Sequence, residues 1–238
     1  MSGQLKVVNE LDVENRGLEY CGLQYFGAMS ASIAHEIKNA LAITNESAGL
    51  LEDLSLISMK NGLPLDSERV ARLSKKVMDQ IKRADTIVRK MSQFAHSVDE
   101  PVKAANLSEI VELAIDLGRR IASTKNINLS YIDSEFPISI ETNPFLLMNL
   151  LWLIIKSAFE RVNSDNNIEI AISKEEEQAQ IIIMNLVSYN LTICQENIQT
   201  RNIEQEKWIP HLADLLNAKI DMNNEDKILI TIALLNGL

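Results

Sequence analysis

The feature that most constrains the fold is a proline-free stretch from about Leu18 to Met59, in which largely apolar side chains recur at helical spacing. The recurring positions step by three and four residues, as on one face of a single helix. They are Phe26, Met29, Ile33, Ile37, Ala40, Thr44, Ala48 and Leu51. The pattern predicts a helix of about 40 residues, on the order of 60 Å long.

A second helix is predicted from about Ser67 to Ser97, after the helix-breaking residues Gly62 and Pro64, with Asp66 or Ser67 as its cap. Its apolar positions repeat close to the 3.5-residue spacing of a coiled coil. They are Val70, Leu73, Val77, Ile81, Ala84, Val88, Met91 and Ala95. Because two antiparallel helices bury only one seam between them, we expect a second copy of the hairpin to complete a four-helix bundle, which makes the protein a homodimer.

Beyond Ser97 the pattern changes to helices that alternate with short strands. Residues 99–106 are predicted to form a polar linker, and residues 107–238 an α/β sandwich in which helices cover one face of a mixed sheet. The predicted fold class is therefore α+β. A lead-in at residues 1–18 precedes a long antiparallel helical hairpin at residues 19–98, and the sandwich follows the linker.

Charge, cysteine content and hydropathy exclude several classes of protein. The formal net charge of −10 argues against a nucleic-acid partner, since a phosphate backbone is bound by clustered lysine and arginine. Cys21 and Cys194 lie too far apart to suggest a disulfide framework or a metal cluster. The longest apolar run, Phe145 to Ile155, is too short to span a bilayer, and the polar N-terminus lacks a signal peptide. We therefore expect a cytoplasmic protein without membrane insertion.

The segment SASIAHEIKNALAIT, from Ser30 to Thr44, places polar side chains on the first helix. At 100° per residue, His35 lies roughly 200° from Ile33, opposite the buried face, and should be exposed. A solvated surface histidine is one interpretation; a zinc-binding HExxH helix fails because Asn39 stands where the second histidine is needed. A third interpretation is chemical. An exposed neutral imidazole can accept a phosphoryl group, while Glu36 orients the ring or takes its proton and Asn39 holds a water or a phosphoryl oxygen.

The motif HEIKNALAI resembles the phospho-acceptor motif of two-component sensor histidine kinases, with Ala40 where that family usually has a proline. The order of elements resembles the same family from about Leu18 to Leu235. The resemblance implies that His35 is the phosphorylated residue and that Glu36 assists the chemistry at the histidine. It further implies that Asn39 is the polar position linked to dephosphorylation of receiver domains.

Response-regulator receiver domains are the expected partners, and they should dock on the exposed face around His35. Small side chains at Ala31 and Ala42 leave room for a partner to approach the imidazole. Lys38 can contact a phosphoryl group or a partner carboxylate, although a solvated surface lysine is the simpler interpretation.

Histidine kinases bind ATP in their second domain, and several residues that such a site requires are missing here. Aligned with the magnesium-binding helix of the family, NLLWLIIKSA puts Leu153 at the ligand position and Asn149 at an earlier asparagine that is not the ligand. A leucine cannot coordinate magnesium. Asn185 replaces the adenine-reading aspartate, and no glycine occurs between Arg119 and Asn236, although phosphate-binding turns rely on glycine. The second domain therefore resembles a degenerate ATPase domain, and we expect no cofactor bound by this chain.

These observations favour a histidine phosphotransferase that accepts a phosphoryl group on His35 from one receiver aspartate and passes it to another, with magnesium held by the receiver. One alternative is a non-catalytic scaffold or pseudokinase that binds response regulators, which has no need for the set His35, Glu36 and Asn39. Another is a divergent ATP-dependent sensor histidine kinase, which requires glycine-rich turns. Receiver dephosphorylation through Asn39 stays open as a side activity.

Overall fold

A computed structural model describes residues 2–134, 136–159, 162, 165–184, 206–224 and 227–233. The helices in chain order are α1 (Ser2–Asn61), α2 (Ser67–Ala95), α3 (Leu107–Ser123), α4 (Pro144–Ala158) and α5 (Ile209–Leu215). The strands are β1 (Lys103–Asn106), β2 (Asn128–Ile132), β3 (Ser139–Thr142), β4 (Asn167–Glu175), β5 (Gln178–Met184), β6 (Lys219–Asn224) and β7 (Lys227–Ala233). The chain divides into two compact units: a hairpin unit, Ser30–Ala95, and an α/β unit that combines Met1–Met29 with His96–Leu238.

The hairpin unit consists of most of α1 and all of α2, and the turn between them is built as the sequence predicts. Gly62 follows the last residue of α1 with a φ of 62°, in the left-handed region that favours glycine. Asp66 caps α2, since its carboxylate accepts a hydrogen bond of 3.0 Å from the backbone N–H of Arg69. These two residues end one helix and start the next.

On α1 the buried face of the hairpin unit follows the predicted positions with one shift. Ile33 and Ala40 are buried as predicted, whereas Ser47 is buried in place of Ala48, which is exposed. The hydroxyl of Ser47 donates a hydrogen bond of 2.8 Å to the carbonyl oxygen of Ile43, so its burial leaves no donor unsatisfied.

On α2 six of the eight predicted positions are half-buried, namely Val70, Leu73, Val77, Ala84, Met91 and Ala95, while the two buried residues each lie one position before a predicted one. Ile87 and Phe94 are buried, whereas the predicted Ile81 and Val88 are 51% and 52% exposed. Apolar residues stand next to each other at positions 87 and 88, and the sequence does not say which of the two faces the partner helix. The covered positions 70, 73, 77, 80, 84, 87, 91 and 94 step alternately by three and four residues, which is the 3.5-residue spacing of a coiled coil. The predicted set instead has two steps of four in succession, from Leu73 to Ile81.

The first part of α1 differs from the sequence-based domain boundaries. The helix begins at Ser2, where the sequence analysis placed a lead-in. Without a proline in this stretch, nothing interrupts the helix on its N-terminal side. Residues up to Met29 group with the α/β unit, whereas the prediction placed residues 19–98 in the hairpin domain.

The α/β unit contains a five-stranded mixed sheet of order β2-β4-β5-β7-β6, which confirms the predicted fold class. Strands β2 and β4 are parallel, and the other neighbouring pairs of this sheet are antiparallel. Ile168, Ile170 and Ile172 alternate along β4 and are buried, as expected where one face of a sheet is covered. Helices α3 and α4 pack against each other, and α3 also packs on β2.

A separate two-stranded sheet forms from β1 and β3. Lys103 of β1 stands opposite Thr142 of β3, and Asn106 stands opposite Ser139. The sequence analysis placed β1 in a linker, because KAAN contains no β-branched or aromatic residue that would mark a strand. Pairing with β3 supplies the hydrogen bonds that the local sequence does not predict.

Candidate functional site

The structure places His35 on the exposed side of α1, as helical spacing predicts. Ile33, two residues earlier, is 6% exposed, and Ala40 is 1% exposed, so the buried face lies on the other side of the helix. Glu36 is half-buried next to His35, and Asn39 is exposed one turn further along. The helix therefore presents an imidazole, a carboxylate and an amide within about one turn of each other.

The surface around His35 is made of small or flexible side chains. Ala31, Lys38 and Ala42 are all exposed, as the expected docking face requires. The sequence analysis missed Leu41, whose side chain is 58% exposed and lies one turn beyond Lys38. Leu41 stands outside the predicted apolar face, and a single exposed leucine does not by itself mark a binding surface.

The other two histidines of the chain are engaged with groups of the α/β unit. His96 Nδ1 lies 2.7 Å from a carboxylate oxygen of Asp99. His211 Nδ1 lies 3.2 Å from the carbonyl oxygen of Lys207, and its ring centroid lies 5.3 Å from that of Trp208. These contacts account for both residues structurally, which leaves His35 as the histidine best placed to react with a partner.

Helix α4 carries the position that the family resemblance assigns to a magnesium ligand, and that position is part of the core. Leu153 is 3% exposed, Ile154 is 0% exposed and Asn149 is 1% exposed. The amide nitrogen of Asn149 lies 4.0 Å from the Sγ atom of Cys21. In the part of the chain that the structure describes, no three His, Cys, Asp or Glu side chains come together as a metal site would need. Asn185, the other departure from the family pattern, lies outside the described residues.

Two side chains near this helix have shifted pKa values because they are buried. Burial raises the pKa of the Cys21 thiol and also raises the pKa of the Tyr25 hydroxyl. Both groups therefore stay protonated and uncharged at neutral pH, as an apolar interface requires.

Within the described residues, no helix combines the length and the apolar character needed to cross a membrane.

No protein-family model matches the chain. Solved structures that resemble it are histidine kinases. The catalytic domain of histidine kinase ThkA is 13% identical with a TM-score of 0.47, and the match covers 57% of this chain and 98% of that one. Histidine kinase AdeS of Acinetobacter baumannii is 10% identical with a TM-score of 0.46, covering 85% and 98%. Full-length ShkA in complex with AMPPNP is 10% identical with a TM-score of 0.48, covering 84% and 47%.

Proposed function

We propose that this protein is a histidine phosphotransferase of a two-component phosphorelay, with His35 as the residue that carries the phosphoryl group. The observation that supports this function best is the set His35, Glu36 and Asn39 on α1, in which His35 and Asn39 are exposed and Glu36 is half-buried, combined with the buried Leu153 on α4. The first provides a nucleophile that a partner can reach. The second lacks an oxygen ligand at the position where a kinase of the resembled family holds magnesium.

The proposed reaction is a reversible transfer between two side chains. The unprotonated ring nitrogen of His35 attacks the phosphorus of a receiver's aspartyl phosphate, so that an N–P bond forms while the P–O bond to the aspartate breaks. The aspartate leaves as a carboxylate. The second ring nitrogen carries the proton of the imidazole. The Glu36 carboxylate can either accept a hydrogen bond from that N–H, which orients the ring, or take the proton once the N–P bond has formed. The reverse reaction on a second receiver completes the relay.

Magnesium enters this proposal only with the receiver, where it neutralises charge on the transferring phosphoryl group. The residues of this chain contribute the nucleophile, its orientation and the docking face. Asn39, one turn beyond His35, can donate a hydrogen bond to a phosphoryl oxygen or hold a water. If it holds a water in line with a receiver's aspartyl phosphate, the same face can also dephosphorylate that receiver.

The proposal includes a homodimer built on the hairpin unit. Beyond its buried face, α2 exposes Met78, Ile81 and Val88, which are 55%, 51% and 52% exposed. They lie three and seven residues apart and so occupy one side of the helix. An exposed apolar stripe of this kind fits the seam of a four-helix bundle made by two hairpins.

The experiment that tests the function follows acid-labile phosphate on purified wild-type protein, on His35→Ala and on His211→Ala. Each sample receives either magnesium ATP alone or a panel of phosphorylated receiver domains. We expect wild type and His211→Ala to be labelled by a receiver and His35→Ala to stay unlabelled. The matched control is informative because His211 is also an exposed histidine on a helix.

Two other results would each contradict the proposal. Label that arrives from ATP alone would establish an ATP-dependent kinase, whose nucleotide site lacks the residues by which the resembled family is recognised. Receivers that bind without transferring label to wild-type protein would establish a scaffold.

A further inference from the structure

Helix α1 begins well before the first residue of the hairpin unit, and its stretch Gly17–Met29 belongs to the α/β unit. This stretch is called the N-terminal segment below. Cys21, Tyr25 and Met29 are 2%, 3% and 0% exposed. They are spaced four residues apart and so lie on one face of α1. The segment is therefore amphipathic and has its apolar face covered.

The partner of this face includes α4. A β-carbon on Gly22 would lie 3.4 Å from Cε1 of Phe145, and the rings of Tyr25 and Phe145 have centroids 5.6 Å apart. Four residues after Phe145, the amide of Asn149 approaches Cys21. Positions four residues apart on each helix therefore meet, Tyr25 with Phe145 and Cys21 with Asn149.

At the N-terminal end of this segment, Gly17 allows the backbone of α1 to lie against the ring of Trp208. A β-carbon on Gly17 would overlap the ring of Trp208, which is itself buried just before α5. Glycine in the interior of a helix costs about 1 kcal/mol relative to alanine, and here it permits contact between a helix backbone and an indole. Gly27, on the same segment, has open space around it and makes no comparable approach.

A small cleft, partly open to solvent, lies beside this contact and next to Leu153. Its volume is about 170 Å³, and it is lined by Cys21, Gln24 and Ala28 of the N-terminal segment and by Trp152, Leu153 and Lys156 of α4, among others. A turn of α1 thus forms one wall of the space beside the residue that replaces the magnesium ligand. Most of the residues that line it are apolar, and Lys156 is the lining residue that carries a charge at neutral pH.

We propose that the N-terminal segment is a built-in cover for α4, which closes the Leu153 face of the α/β unit with a piece of the chain's own helix. A nucleotide-binding relative would need that face open to ligand. Here the cover takes the place of the ligand in burying the face. The meaning given to Leu153 rests on the proposed function, but the contact itself does not.

The reactivity of Cys21 toward the thiol reagent 5,5′-dithiobis(2-nitrobenzoate) tests the cover, in a full-length Cys194→Ser background so that only one thiol responds. We expect Cys21 to react slowly in this parent. Gly17→Leu should raise the rate at least tenfold, because the new side chain collides with Trp208 and lifts the segment. Gly27→Leu is the matched control and should leave the rate unchanged. Phe145→Ala removes the ring that faces Tyr25 without changing α1, and it should also raise the rate. This variant replaces Gly17→Leu in the test if Gly17→Leu fails to fold.

Fast reaction of Cys21 in the folded parent would overturn the cover, and so would slow reaction in both folded opened variants. Neither result depends on phosphoryl transfer, and a failure of transfer with a protected Cys21 would contradict the proposed function alone. Calorimetric titration with ATP adds a further distinction. Binding to the opened variant but not to the parent would support the cover and contradict the ATP-independent function.

Discussion

The two positions that matter most for the proposed function differ in exposure: His35 lies on the exposed face of α1, whereas Leu153 of α4 is buried. His35 projects from a helix whose packing is made by other residues, such as Ile33 and Ala40, so the hairpin does not depend on it. Leu153 and its neighbour Ile154 are integral to the core of the α/β unit. A chemical site on a surface and an apolar position in a core can change independently. The comparison therefore predicts that activity and stability separate cleanly between the two regions.

The largest expected effect is on activity, at His35. His35→Gln should lower phosphoryl acceptance from a receiver by at least about 10³-fold, because the amide cannot act as the nucleophile. The free energy of unfolding should change by less than about 0.5 kcal/mol, since the side chain is exposed. Phosphoryl transfer and urea unfolding of the same preparation measure both effects. A large loss of stability would show that His35 is a structural residue and would remove the contrast with α4.

The next effect is on stability, at Leu153. Leu153→Asn should lower the free energy of unfolding by roughly 2–4 kcal/mol, because it removes apolar contacts and buries an amide in an apolar place. Leu153→Met keeps the volume and should cost less than about 1.5 kcal/mol. Urea unfolding of both variants checks these values. The asparagine variant should gain no magnesium-dependent ATP binding; if it does bind, the rest of a nucleotide site is still present.

The smallest effect is a dependence on pH that only the α/β unit should show. The hairpin unit contains no tyrosine. In the α/β unit, burial raises the pKa of Tyr131 to about 12, and its hydroxyl donates a hydrogen bond of 3.0 Å to Asp133. The unfolded chain releases this proton near pH 10, while the folded chain keeps it. The contribution of Tyr131 to the free energy of unfolding is therefore fully present below about pH 10 and is lost as the pH rises toward 12.

Tyr131→Phe should remove only the part of that loss which Tyr131 causes, because the raised pKa values of Cys21 and Tyr25 destabilise the same unit in the same direction as the pH rises. Tyr20→Phe, at a position 61% exposed, serves as the control. The effect is modest because Tyr131 is itself partly exposed, so water screens the shift. Thermal unfolding between pH 9 and 12 measures it. Equal losses of stability in all three proteins would show that Tyr131 does not carry this dependence.

The sequence predicted the strongly periodic elements and the exposure of His35, because both follow from local spacing on a helix or strand. It did not predict β1, whose pairing with β3 is a contact between distant segments. Within the seam of α2, most predicted positions are half-buried, but the sequence analysis chose Val88 where the adjacent Ile87 is the buried residue. Which of two adjacent apolar residues faces a partner depends on the exact helical phase, and that phase is set by tertiary packing.

The candidate site shows the same division. The positions of Ala31, Lys38 and Ala42 follow from the helical wheel, and all are exposed. Their roles in docking stay predictions, as do the roles of Glu36 and Asn39. The contact of Gly17 with Trp208 could not be predicted, because these residues are separated by most of the chain and a glycine on a helix carries no signal of its own.

The parallel pairing of β2 with β4 has a consequence for how the chain folds. Asn128 and Asn167, which begin the two strands, are 39 residues apart, with β3 and α4 between them. An edge strand whose partner lies so far along the chain must wait for that loop to close, whereas the β4–β5 pair is joined by a short turn. We expect β2 to join after the folding transition state, so that Leu129→Ala speeds unfolding more than it slows folding. Stopped-flow kinetics would show this as a change confined to the unfolding limb, and a slower folding limb would place β2 in the nucleus instead.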